Sequence, residues 1–143
     1  MNAEKSFSGR CLCGAVQIEV TPPTRWCYHC HCSLCRAAHG APFVTWFGVR
    51  HEQLEVTRGA DVLRWRPSSD HGWRAYCQEC GTQMLFETSR YPEQIDVVRA
   101  VIAGDIDREP SAHIHVLSKV DWVNIDDGLD RYSEDSGSEK IYP

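Results

Sequence analysis

Seven of the eight cysteines in this 143-residue chain fall into three tight clusters: Cys11-Leu12-Cys13-Gly14, Cys30-His31-Cys32-Ser33-Leu34-Cys35 and Cys77-Gln78-Glu79-Cys80-Gly81. A Cys-x-x-Cys turn places its thiolates about 3.5–4 Å apart, the edge of a tetrahedron whose Zn–S bonds are about 2.3 Å long. A glycine directly after the second cysteine lets the chain leave with φ > 0, so that backbone N–H groups turn back toward sulfur. Two clusters offer a pair of thiolates each and the third offers three. That sum predicts one closed four-sulfur site and one three-sulfur site with its fourth position open to chemistry.

An even number of cysteines also fits a disulfide framework. Against it, Cys-x-Cys pairs are poorly placed to bond to each other, and the polar start from Met1 to Ser8 lacks the apolar core of a secretory signal. No apolar run is long enough to span a bilayer, so a soluble, cytoplasmic protein with no membrane partner is expected. There, thiols stay reduced and available to metal. With 20 acidic against 15 basic residues the formal charge is −5, and Lys and Arg are scattered, which leaves no footprint for a phosphate backbone and argues against a nucleic-acid partner.

The length matches one domain with a core of its own. Gly, Pro, Asp and Ser punctuate brief apolar stretches rich in Val, Ile, Phe and Trp, which is the pattern of strands and turns. Val16, Ile18 and Val20 alternate with Gln17 and Glu19; residues 43–49 form an aromatic-rich run; Leu54 and Val56 lead to a turn at Gly59-Ala60-Asp61, after which residues 62–65 resume. Residues 73–76, 83–87, 97–102, 114–117 and 122–125 are further candidate strands. Helix is confined to short turns at residues 33–39 and 92–94, so the class is all-β. From Tyr132 onward the composition turns to Ser, Glu, Asp, Gly and Lys, and residues 133–143 are expected to be a disordered polar tail after a domain at 7–132.

Pairing Cys11 and Cys13 with Cys77 and Cys80 would tie the N-terminal strand to a later hairpin, where a small β domain gains most from a metal staple. Four thiolates around zinc leave no open position, so this site is read as structural. Cys30, Cys32 and Cys35 crowd into one short loop and leave a fourth position for water or an incoming thiol. The alternative is closure of that position by Cys27, His29, His31 or His39. His31 lies between two ligands and is expected to point away, His39 has the reach, and Cys27 is read as a small buried apolar residue.

The sequence resembles the glutathione-dependent formaldehyde-activating enzyme family, which also includes centromere protein V relatives. The matching elements are Gly9-Arg10-Cys11-Leu12-Cys13-Gly14-Ala15-Val16, Cys30-His31-Cys32-Ser33-Leu34-Cys35-Arg36, Gly40-Ala41-Pro42-Phe43 and Tyr76-Cys77-Gln78-Glu79-Cys80-Gly81-Thr82. His113-Ile114-His115-Val116, Trp122 and Asp126-Asp127-Gly128-Leu129 close the match. The resemblance implies an Mss4-like, or β-tent, fold, a structural zinc on Cys11, Cys13, Cys77 and Cys80, and a catalytic zinc on Cys30, Cys32 and Cys35.

The reaction implied is carbon–sulfur bond formation or cleavage, typified by condensation of glutathione with formaldehyde. A free thiol with a pKa near 8.5 is mostly protonated at neutral pH, and zinc ligation deprotonates it, leaving sulfur able to attack an aldehyde carbon. Glutathione carries two carboxylates, and Arg36 and Arg74 are the candidates to grip them. His39, His71 and Trp46 are candidates to shape or protonate the site. The rival expectation is a non-catalytic zinc module that binds a protein or a small thiol, and the fourth ligand of the middle cluster separates the two. Thiol redox chemistry at Cys77 and Cys80 is a third reading, weakened by the better use of the pair as metal ligands.

Overall fold

The structure is a computed structural model and describes residues 5–141. Its strands in chain order are β1 (Phe7–Arg10), β2 (Gln17–Val20), β3 (Trp26–Cys30), β4 (Val44–Arg50), β5 (Leu54–Arg58), β6 (Leu63–Pro67), β7 (Gly72–Cys77), β8 (Gln83–Thr88), β9 (Gln94–Val98), β10 (Ala112–Ile114) and β11 (Asp130–Arg131), with one α-helix, α1 (Ser33–His39). The fold is all-β, as its punctuation by turn residues predicts. Three strands pair in the order β1-β2-β5, and the remaining eight form a sheet in the order β11-β10-β3-β4-β9-β8-β7-β6. Most of the pairings are antiparallel, but β10 runs parallel to both β3 and β11.

Alternation in β2 does what the sequence demands: Ile18 and Val20 are buried while Gln17 and Glu19 are only partly so. These side chains enter the larger of two apolar cores, with Phe47, Val49, Met84, Leu85, Ile95 and Val97. The sulfurs of Cys11 and Cys77 lie in that core. A second, smaller core is built from Val44, Trp46 and Val98 and contains Cys30 and Cys35, with Trp26, Cys32 and Phe86 packed against it. The two cysteine sites therefore belong to different packing units of one fold.

Departures from the expected elements have local causes. The strand expected at 97–102 stops at Val98 and gives way to a 3-10 turn at Arg99–Val101, after which Ile102 bridges Gly9. The strand expected at 114–117 ends at Ile114, because His115 adopts a left-handed conformation (φ 56°) and turns the chain into a 3-10 turn at Val116–Ser118. Residues 122–125 run without a strand partner, and Trp122 is 77 % exposed. Pro92 and Glu93 form a turn, whereas Gln94 already belongs to β9.

The polar stretch from Ser133, expected from composition to be disordered, is hydrogen-bonded to its neighbours as far as Ile141. His115 N–H donates to the Glu134 carbonyl, Ser133 N–H to that of Glu139 and Ile141 N–H to that of Arg131. Backbone pairing supplies the order that so few apolar side chains do not. Residues 142–143 of the expected tail lie outside the described residues. Among the described residues no helix is long and apolar enough to cross a membrane.

Candidate functional site

All eight cysteines are free thiols, and seven converge on two places. Cys11, Cys13, Cys77 and Cys80 bring four sulfurs within 4.8 Å of one another, with 3.7 Å between Cys11 and Cys13 and 3.9 Å between Cys13 and Cys77. Those separations match the roughly 3.8 Å edge of a zinc–thiolate tetrahedron. Each pair sits on a turn closed by glycine, Gly14 at φ 80° and Gly81 at φ 81°. The backbone folds round the sulfurs as this conformation allows: Val16 N–H donates to the Cys11 sulfur at 3.3 Å. Thr82 joins the two turns, its hydroxyl lying 3.2 Å from the Cys80 sulfur and accepting from Leu12 N–H at 3.0 Å. Burial works against ionisation of Cys80, but the Thr82 hydroxyl and nearby backbone N–H groups bring its thiol down to about 5.

Cys30, Cys32 and Cys35 bring their three sulfurs within 4.8 Å at the junction of β3 and α1. Cys32 is the N-cap of α1, and its sulfur accepts from Cys35 N–H at 3.2 Å. Contacts first with Cys30 and then with Cys35 hold the Cys32 thiol far below its ordinary value, while contacts with Cys32 and Cys35 push Cys30 far above. Three sulfurs this close cannot all ionise without a cation among them, and a thiophilic metal ion would supply that charge.

Arg74 reaches this trio from β7. It is 4 % exposed, its Nη2 donates toward the Cys35 sulfur at 3.7 Å, and its guanidinium lies 5.0 Å from the Phe86 ring centre and 6.0 Å from that of Trp46. Its other nitrogens, Nε and Nη1, are buried without a protein partner. His39, at the end of α1, sets its ring edge-on to Trp46, and its Nε2 is likewise buried and unpartnered. Burial, and then the charge of Arg74, lowers His39 to about 4, so its imidazole is neutral. His39 is not part of the set of ligand atoms that share the 4.8 Å cluster.

Arg36 donates from Nε to the His31 carbonyl at 3.3 Å and lines a shallow groove of about 320 Å³ with Ser33, Pro42 and Trp122. Of the other expected residues, Trp46 is buried in the second core, whereas His71 is exposed in the turn between β6 and β7. Cys27 is fully buried in the larger core, where burial pushes its thiol up to about 11. His31 points away from the thiols, as its place between two of them predicts. It is buried, with Nε2 2.8 Å from His113 Nδ1, and His113 Nε2 lies 2.7 Å from Asp127 Oδ2. Sequence spacing gives no link among His31, His113 and Asp127; only the parallel pairing of β10 with β3 joins them.

Comparisons with known proteins give the family. The chain matches the family model described as glutathione-dependent formaldehyde-activating enzyme over residues 6–118. It is 29 % identical over 82 residues to a Schizosaccharomyces pombe protein named as an uncharacterized lyase, the match covering 56 % of each chain. The chain thus spans about half the length of that relative. A crystal structure of a Rhodobacter sphaeroides protein superposes with a TM-score of 0.59 at 31 % identity, covering 71 % of this chain and 92 % of the other. With three cysteine clusters in the expected order, a β fold that joins them and a family match over most of its length, the chain belongs to the glutathione-dependent formaldehyde-activating enzyme family.

Proposed function

We propose that this protein is a zinc-dependent carbon–sulfur lyase or synthase that joins a small thiol, of which glutathione is the type, to a small aldehyde such as formaldehyde. The observation that supports this reading most is the trio Cys30, Cys32 and Cys35, three converging sulfurs backed by a buried guanidinium. On this reading Cys11, Cys13, Cys77 and Cys80 hold a zinc that braces the fold, and the trio holds the reactive one. Zinc bound there supplies a Lewis acid that keeps a ligated thiol deprotonated near neutral pH.

The chain's own side chains do the rest. Arg74, dry between Trp46 and Phe86, offsets the negative charge that the thiolates concentrate. Its burial suits it to that role better than to gripping a substrate carboxylate from solvent. Arg36, on the groove, is the better placed of the two arginines to pair with a carboxylate of the tripeptide. Formation of the adduct makes one S–C bond, removes the proton of the thiol and delivers a proton to the carbonyl oxygen, with no change of oxidation state overall. His39, kept neutral by burial, is the candidate to handle that proton at its unpartnered Nε2.

The test is to mix zinc-loaded protein with 13C-formaldehyde and glutathione and to follow the hydroxymethyl adduct by NMR against the spontaneous reaction. Acceleration that Cys32→Ser removes is the expected result. No acceleration with glutathione or other small thiols, together with a metal signal that thiol leaves unperturbed, would overturn this reading in favour of a non-catalytic zinc module.

A further inference from the structure

Away from the cysteines, Thr45, His29 and His113 form a row across three neighbouring strands. His29 is the register partner of Thr45 on β4 and of His113 on β10. Side chains alternate along a strand, so the row lies on the side of β3 opposite to Cys30. Asp127, from the segment before β11, closes the row: one ligand atom from each of His29, His113 and Asp127 lies within 4.8 Å of the other two.

The outer hydrogen bonds of this trio match the pattern that orients metal-binding histidines. His29 Nδ1 lies 2.7 Å from the Thr45 hydroxyl and His113 Nδ1 lies 2.8 Å from His31 Nε2, so that His113 turns its Nε2 to Asp127 and His29 has its Nε2 on the side of the ring away from Thr45. Metal-binding histidines are held in this manner, one nitrogen on the metal and the other on an outer partner. Asp127 is also oriented. Its Oδ1 accepts from Leu129 N–H at 3.1 Å, and Oδ2 is left to face His113 at 2.7 Å. Arg131, across the strand pair from His113, donates to the Ile125 carbonyl and so steadies the segment that carries Asp127.

Burial gives the trio an inside and an outside. His113 is 4 % exposed at its side chain and Asp127 is 41 % exposed, so the carboxylate marks the entrance. Two imidazoles and one carboxylate with an open side suit a divalent transition-metal ion that keeps water in its remaining positions. We propose that His29, His113 and Asp127 form a third metal site of nitrogen and oxygen donors, distinct from both cysteine sets. It is independent of the reaction assigned to the thiol trio, because no sulfur takes part in it.

The experiment uses protein whose cysteine sites are filled with zinc, titrated with cobalt(II) and followed by absorption spectroscopy and metal analysis. The expected result is about one further equivalent of cobalt with weak visible bands and no near-ultraviolet sulfur-to-cobalt charge transfer. Asp127→Ala, at the exposed ligand, should weaken that binding at least tenfold while retaining both zinc ions. Thr45→Val, which removes only the outer partner of His29, should weaken it by about 10–100-fold, the usual loss on removing such a partner. The absence of a further equivalent, a further equivalent with sulfur charge transfer, or binding that neither variant weakens would overturn the proposal.

Discussion

Arg74 donates from Nη2 toward the sulfur of Cys35 at 3.7 Å and is 4 % exposed, so a guanidinium from β7 is buried against the thiols that end β3 and begin α1. The pairing links strands that lie far apart in the large sheet. A buried charge is tolerated only with compensation, and the thiols of the trio, once ionised, are the groups placed to supply it.

Replacing Arg74 should therefore be felt at the metal. Arg74→Met keeps the bulk between Trp46 and Phe86 but leaves the thiolates without their cation, and is expected to lower metal affinity at the trio by about 10–100-fold while the four-cysteine set keeps its ion. Competition with a chelator, read with site-specific cobalt bands, measures this. Equal retention in variant and wild type would show that Arg74 does not tune the site.

Cys80→Ser removes one of the four thiols that, on the proposed reading, tie the N-terminal turn to the turn after β7 through zinc. The variant should lose about one metal equivalent and melt more than about 10 °C lower, since structural metal binding contributes directly to folding. A wild-type melting curve would count against the bracing role.

Cys32→Ser should separate activity from stability. The trio lies in the smaller core, so losing its metal is expected to cost only about 1–2 kcal/mol of fold stability, while thiol-dependent aldehyde chemistry disappears. Measuring melting temperature and adduct formation on the same preparation checks both. A variant that retains the chemistry would remove the trio from the proposed reaction.

Asp96 on β9 should give the fold a pH dependence unrelated to the cysteine sets. Burial pushes its carboxyl from an ordinary 3.8 up to about 7, against the opposing hydrogen bond from Gln94 Nε2. Between those values the folded chain holds a proton that the unfolded chain has lost, so stability falls as pH rises from about 4 to 7 and then levels off. Asp96→Asn should remove this fall, gaining about 2–3 kcal/mol over wild type on going from pH 5 to pH 8, as urea midpoints would show. A difference between variant and wild type that stays constant across that range would rule it out.

The cysteine clusters were legible in the chain because metal geometry is short-range: two thiols two or three residues apart have few arrangements, and a following glycine narrows them. The alternation in β2 was legible for a similar reason, since one solvated and one buried face leave a period of two. By contrast β3, Trp-Cys-Tyr-His-Cys, shows no such alternation, and its Trp and Tyr favour a strand without marking one in so short a run. The end of β10 was equally hidden, because the left-handed turn at His115 occurs at a non-glycine residue, where that conformation is uncommon even though His adopts it more often than most.

What the amino-acid order determined by itself was the grouping of seven cysteines into sets of four and three, the β class and the absence of any need for long helices. Tertiary structure alone decided which of the flanking polar residues belong with those sites. Arg36 and His39 lie within a few residues of Cys35, yet Arg74, from another strand, is the one whose guanidinium meets its sulfur. His29, His113 and Asp127 meet only because β10 pairs in parallel with β3 after a long excursion of the chain. Contacts of that kind depend on strand order and register, which are set by packing two cores at once and not by any local spacing.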